Sequence, residues 1–204
     1  MDPYVALAKR TIEKYIIENK VVEAPKDLPP DFYSRRAGVF VTIYSHGESR
    51  GLPRDEHAGL RGLPRGEHAG LRGLPRGEQE RVLRGCVGTF LPTCDNLAEE
   101  IIQNAVSACS EDYRFDPIEA AELKNITCEV SVLSEPVSVQ DLAAHDVRQH
   151  GIIVQSGRRR GLLLPDLEGV DTTEQQIAIA AEKGGIDPEQ DPISLFEFTV
   201  EKHR

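Results

Sequence analysis

The chain has 204 residues, of which 39% are apolar and 28% charged. That is enough for one ordinary domain or two small ones, and too apolar for a wholly disordered chain. Lys and Arg number 24 against 34 Asp and Glu, a net charge of −10. Such a surface repels phosphate backbones and argues against nucleic-acid binding. No apolar run approaches the roughly 20 residues of a membrane helix, and residues 1–10 hold no signal-peptide core. The expected location is therefore cytoplasmic, with no membrane partner. In that setting Cys86, Cys94, Cys109 and Cys128 are expected as free thiols rather than a disulfide framework.

The first element is a helix. Tyr4, Leu7, Ala8, Thr11, Ile12, Tyr15 and Ile16 recur at three- and four-residue spacing behind Asp2 and Pro3, a cap and a first-turn proline. Pro25, Pro29 and Pro30 form a non-helical connector. Residues 37–44 alternate as a strand, with Val39, Val41 and Ile43 on one face and Phe40, Thr42 and Tyr44 on the other. Residues 82–90 form a second strand, and the two suggest a hairpin.

Between them lies a tandem repeat, GLPRDEHAGLR, GLPRGEHAGLR and GLPRGEQERVLR, running from Gly51 to Arg84. One Pro and at least one Gly per unit forbid a continuous helix. Two leucines per unit, joined by one Val in the third, are too few for a solenoid face. We read residues 47–82 as a flexible insertion in the hairpin loop of a single domain spanning 1–204. His57 and His68 recur by duplication, which explains them without metal binding.

Asn96 and Glu99 have the spacing of a capping box, and Leu97, Ile101, Ala105 and Ala108 mark a helix reaching about Ser110. Residues 117–123 suggest a short helix, 126–133 an alternating strand, and 139–149 a weak helix. Residues 151–156 and 160–164 are short apolar runs around a Gly157 turn, a hairpin signal. Thr172 or Thr173 caps a helix that Gly184 and Gly185 stop, and 195–200 is a last strand. Five or six strands with three or four helices indicate an α+β fold with a mostly antiparallel sheet and flanking helices.

No phosphate loop, dinucleotide fingerprint, His-Glu-x-x-His or Cys-x-x-Cys motif occurs, so no metal ligand or cofactor is assigned. The segment Leu83-Arg84-Gly85-Cys86-Val87-Gly88-Thr89 stands out. Glycines within a strand suggest a bulge or the close approach of another group. In regular pleating Arg84 shares the face of Cys86, and its guanidinium would favour the thiolate. The plain alternative is a buried cysteine serving as a small hydrophobe.

This segment, extended to Phe90, resembles the signature of the AMMECR-one domain family, known in microbes as AmmeMemoRadiSam system protein A. The segments Arg36–Val41, Asn96–Ile102, Asp112–Phe115, Glu129–Leu133, His150–Val154 and Arg160–Pro165 follow in that family's order. Together they cover about residues 3 to 202, and the long repeat is the departure. The resemblance implies an α+β protein whose two halves share one curved sheet, with a cleft between larger and smaller parts. It implies two partners, a Memo-like protein similar to extradiol dioxygenases and a radical S-adenosylmethionine protein. It supplies no reaction, substrate or cofactor.

Five positions matching family motifs are the candidate site. Cys86 would be the nucleophile, hydrogen donor or covalent carrier, and Glu129 would move protons. Arg84, Arg114 and His150 would bind substrate. Glu129 has a second reading as an ion-pair partner of Arg84 or Arg114, and His150 as a turn residue. Two functions follow: a thiol-bearing enzyme or enzyme subunit, or a non-catalytic ligand- or partner-binding adaptor.

Overall fold

A computed structural model describes residues 1–46, 81–167 and 169–204. The insertion read over 47–82 thus lies outside the described residues, apart from Arg81 and Val82, which open a strand. The chain divides into two compact units, one built from residues 1–46, 81–132 and 202–204 and the other from 133–201. Among the described residues no helix is long and apolar enough to cross a membrane.

In the first unit, helix α1 (Pro3–Glu18) starts where Asp2 accepts hydrogen bonds from the amides of Tyr4 and Val5, with Pro3 at the first position. It ends at Asn19, whose φ of 53° lies in the left-handed region. A single turn, α2 (Asp31–Ser34), buries Phe32. Strands β1 (Val39–His46) and β2 (Arg81–Thr89) form the expected antiparallel hairpin. Helix α3 (Leu97–Ser110) is capped by the Asn96 side chain, which accepts from the Glu99 amide at 3.0 Å. A 3-10 turn, Ala120–Asn125, replaces the short helix expected at 117–123. It leads into β3 (Ile126–Leu133).

The second unit holds β4 (Val137–Ser138), β5 (Gly151–Ser156), β6 (Arg159–Leu163), α4 (Thr173–Lys183) and β7 (Ser194–Phe198). The weak helix expected over 139–149 is only a 3-10 turn, Leu142–Ala144. Thr172 and Gln175 form a reciprocal capping box on α4, and Gly184 ends it. Where the sequence suggests one last strand over 195–200, the structure has two, β7 and, past Thr199, β8 (Val200–His203).

Antiparallel pairing inside an α+β fold is as expected. Where the resemblance implies one shared sheet, the strands form two four-stranded sheets, ordered β2-β1-β3-β8 and β4-β7-β5-β6. The core of the first unit follows from the pleat. Val39, Val41 and Ile43 of β1 and Val130 and Val132 of β3 are buried together with Leu7, Ala8 and Ile12 of α1 and Leu97, Ile101 and Ala105 of α3. A separate core joins Ile152, Val154, Leu163, Ala180 and Ala181 in the second unit.

Candidate functional site

Alternation along β1 turns Phe40, Thr42 and Tyr44 to the face opposite the core. Thr42 pairs with Cys86 of β2 on one side and with Glu129 of β3 on the other. Residues in register on adjacent strands share a face. Cys86, Thr42 and Glu129 therefore form one cross-strand row, with Thr42 between the two candidate catalytic residues. The Cys86 thiol is partly exposed, and its sulfur lies 3.3 Å from Thr42 Oγ1. It is not sealed in the core.

Because β2 ends the sheet, the backbone groups of Cys86 that point away from β1 need other partners. Two side chains supply them. The Cys86 N–H donates to Asp112 Oδ2 at 2.8 Å, and its carbonyl accepts from Arg114 Nη2 at 3.0 Å. Arg114 also grips Asp112 in a fork, Nε to Oδ1 at 2.9 Å and Nη2 to Oδ2 at 2.7 Å. Burial by itself raises the Asp112 carboxyl, but hydrogen bonds from the Arg114 side chain and from the Cys86 and Arg114 amides outweigh it and hold the group below its ordinary value. Hydrogen bonding to Asp112 raises Arg114 in turn, against the opposing effect of burial. The pair stands in for a fifth strand at this one position and fixes where the thiol is presented.

Arg84 departs from expectation. The β1–β2 register shifts between Ile43 and Tyr44, so that Gly85 faces Ile43, Leu83 faces Tyr44, and Arg84 is the extra residue of a bulge. The shared face inferred from regular pleating is lost. Arg84 is 5% exposed and forks onto Glu122, Nε to Oε2 at 2.8 Å and Nη2 to Oε1 at 2.9 Å, while Nη1 donates to the Asp116 carbonyl at 2.8 Å. It closes a half-buried ion pair with Glu122 and makes no hydrogen bond to the Cys86 thiol. Gly85 has its own reason. A Cβ there would lie 2.3 Å from the Ala108 carbonyl oxygen of α3, so the glycine marks the close approach of a helix backbone.

Glu129 is held by two guanidiniums, Arg81 Nη2 at 2.6 Å and Arg204 Nε at 3.1 Å. The ion-pair reading was right in kind and wrong in partner, since neither Arg84 nor Arg114 makes it. Arg81 lies 4.2 Å from the centre of the Tyr44 ring as well. Burial, with the nearby Glu129 carboxylate adding to it, pushes the Tyr44 hydroxyl above its ordinary value.

His150 belongs to the second unit, just ahead of β5, whereas Cys86, Thr42 and Glu129 belong to the first. Its carbonyl accepts from Gln176 Nε2 at 3.0 Å, and its ring lies 5.7 Å from that of His145. Reading the sequence missed Thr42, Asp112 and His145. Asp112 opens the family-like segment Asp112–Phe115 beside Arg114, and a carboxylate two residues before an arginine is a weak turn signal. His145 and Gln176 carry no spacing pattern at all, because folding alone brings them together.

Burial pushes Cys109 and Cys128 up to about 11. Cys94 is also raised, by burial first and by the neighbouring Glu100 carboxylate. Glu100 is itself buried and accepts from the Thr93 and Cys94 amides, each at 2.7 Å, which anchors the loop entering α3.

A protein of Thermotoga maritima is 40% identical over 99% of this chain and 97% of its own length. A Pyrococcus furiosus protein is 31% identical over 97% of this chain and 84% of its own. A Clostridium acetobutylicum protein is 35% identical over the whole chain, which corresponds to 36% of that longer sequence. The crystal structure of an uncharacterized protein from Pyrococcus horikoshii superposes with a TM-score of 0.71 and 30% identity, covering 98% of this chain and 88% of the other. Residues 74–203, which hold the Cys86 segment, the Asp112–Arg114 clamp and both sheets' later strands, match AMMECR1, and the chain belongs to that family.

Proposed function

We propose that this chain is a thiol-presenting enzyme subunit that receives a ligand at Cys86 and works with a Memo-like protein and a radical S-adenosylmethionine protein. The observation that carries the reading is the placement of Cys86. Its sulfur lies on the sheet face away from the core, and its backbone is clamped on the outer edge by Asp112 and Arg114. Rigid support of a reactive group is what a site on a strand provides. The partners come from the family resemblance. The Clostridium relative, in which a segment like this one makes up 36% of the length, supports a domain that operates joined to other sequence.

A second reading, a ligand- or partner-binding adaptor without chemistry of its own, is favoured by one specific finding. The charges that would activate the sulfur or move its proton are engaged elsewhere, Arg84 by Glu122 and Glu129 by Arg81 and Arg204. Iodoacetamide labelling of the native chain near pH 7, read by mass spectrometry, separates the two. Labelling of Cys86 at least tenfold faster than Cys94, together with loss of the reconstituted system's activity in Cys86→Ala, supports the thiol subunit. A folded Cys86→Ala protein that keeps full activity leaves the adaptor.

A further inference from the structure

We infer that His145, His150 and Glu197, all in the second unit, form a binding site for one divalent transition-metal ion of the zinc class. One donor atom from each of the three residues lies within 4.8 Å of the others. An ion about 2.0–2.2 Å from its nitrogen and oxygen ligands spans donors about 3.3 Å apart in a tetrahedral set, so small side-chain rotations close this cluster on one ion.

The hydrogen-bond network decides the state of His145. Gln176 is fully buried, and its Nε2 donates to the carbonyls of His150 at 3.0 Å and Leu164 at 3.4 Å. Its oxygen therefore faces His145 Nε2, 2.7 Å away, and must accept the proton carried there. In the neutral imidazole this leaves Nδ1 with a bare lone pair, 2.8 Å from Glu197 Oε2. Two lone pairs at that distance repel unless a proton or a cation lies between them.

A proton would make a simple imidazolium–carboxylate pair, but it would do nothing for His150. The Nδ1 atom of His150 is buried and has no hydrogen-bond partner among the described residues. An ion shared by all three residues resolves both problems. It takes the His145 lone pair, pairs with the Glu197 charge and gives the His150 ring an electron-pair acceptor. The Gln176 contact is the support that metal-bound histidines require, an acceptor on the far ring nitrogen that fixes tautomer and orientation. Two imidazoles and one carboxylate suit zinc, iron, cobalt or nickel better than magnesium or calcium. Three protein ligands leave a position open to water or to a small ligand.

Cobalt(II) titration of the metal-free full-length chain tests this. The expected result is saturable binding of one ion per chain at micromolar concentrations. Visible ligand-field bands should appear without the near-ultraviolet charge transfer of a thiolate, and zinc should displace the ion. His150→Ala should weaken binding by more than the 10–100-fold that loss of a supporting residue behind the ligands typically costs. The His150 side chain makes no hydrogen bond among the described residues, so without metal that variant should keep its circular dichroism and lose only the packing of one half-buried ring. Glu197→Gln should weaken binding in the same way. No saturable binding, thiolate charge transfer on the bound ion, or unchanged affinity in a folded His150→Ala protein would overturn the site.

Discussion

Replacing Asp112 by alanine isolates the clamp that fixes Cys86. Asp112 is 7% exposed. Its removal orphans the Cys86 N–H, which otherwise donates at 2.8 Å. A fully buried donor left unpaired costs about 1–3 kcal/mol, and at this part-buried position about 2 kcal/mol is expected. It also strips the fork from Arg114, whose side chain is 30% exposed, so solvent returns part of that loss and only about 1 kcal/mol remains. The sum is about 3 kcal/mol, a fall of roughly 6–12 °C in melting temperature for a chain of this size. Asp112→Asn retains an acceptor oxygen and should lose about half as much.

The comparison also carries a pH signature. A carboxyl held below its ordinary value contributes stability that is fully present above the unfolded-state value and is lost as pH falls through the folded one. For Asp112 the unfolded reference is 3.8. The stability gap between the native chain and Asp112→Asn should stay constant from pH 7 to about 5 and narrow below about 4. Urea denaturation followed by circular dichroism across that range measures it. A loss under about 1 kcal/mol for Asp112→Ala, or a gap independent of pH down to 3, would refute the reasoning.

Two further outcomes follow from the bulge in β2. Gly85→Ala places a methyl 2.3 Å from the Ala108 carbonyl, a backbone atom that cannot swing aside, so overpacking of about 3 kcal/mol is expected in the same denaturation assay. Arg84→Met should destabilise the fold through the uncompensated Glu122 carboxylate yet leave the alkylation rate of Cys86 within about twofold. A tenfold fall in that rate would return Arg84 to the thiol.

How far the site could be read from the sequence depended on the range of the interaction. The Asp2 and Thr172 caps, the alternation of Val39, Val41 and Ile43, and the β1–β2 hairpin were legible because each rests on neighbours a few residues apart or on a period of two. The Arg-Gly-Cys segment announced a bulge through its glycines, yet the face of Arg84 was misjudged, because one extra residue reverses the alternation and its position depends on register with β1. The partners of Glu129 were beyond reach for a similar reason. Arg81 and Arg204 are 48 and 75 residues away in sequence, and pairing across a sheet and at a chain end chose them over nearer arginines.

The sequence alone determined α1, α3, α4, the β1–β2 and β5–β6 hairpins, the acidic balance and the family, since propensity, period and motif order are properties of the chain itself. Only the tertiary structure decided which charges meet. It set Cys86 beside Thr42, turned Arg84 onto Glu122, and drew His145 and Glu197 together across 52 residues. Contacts of that kind are selected by burial and register over long loops, where no local rule names the partner.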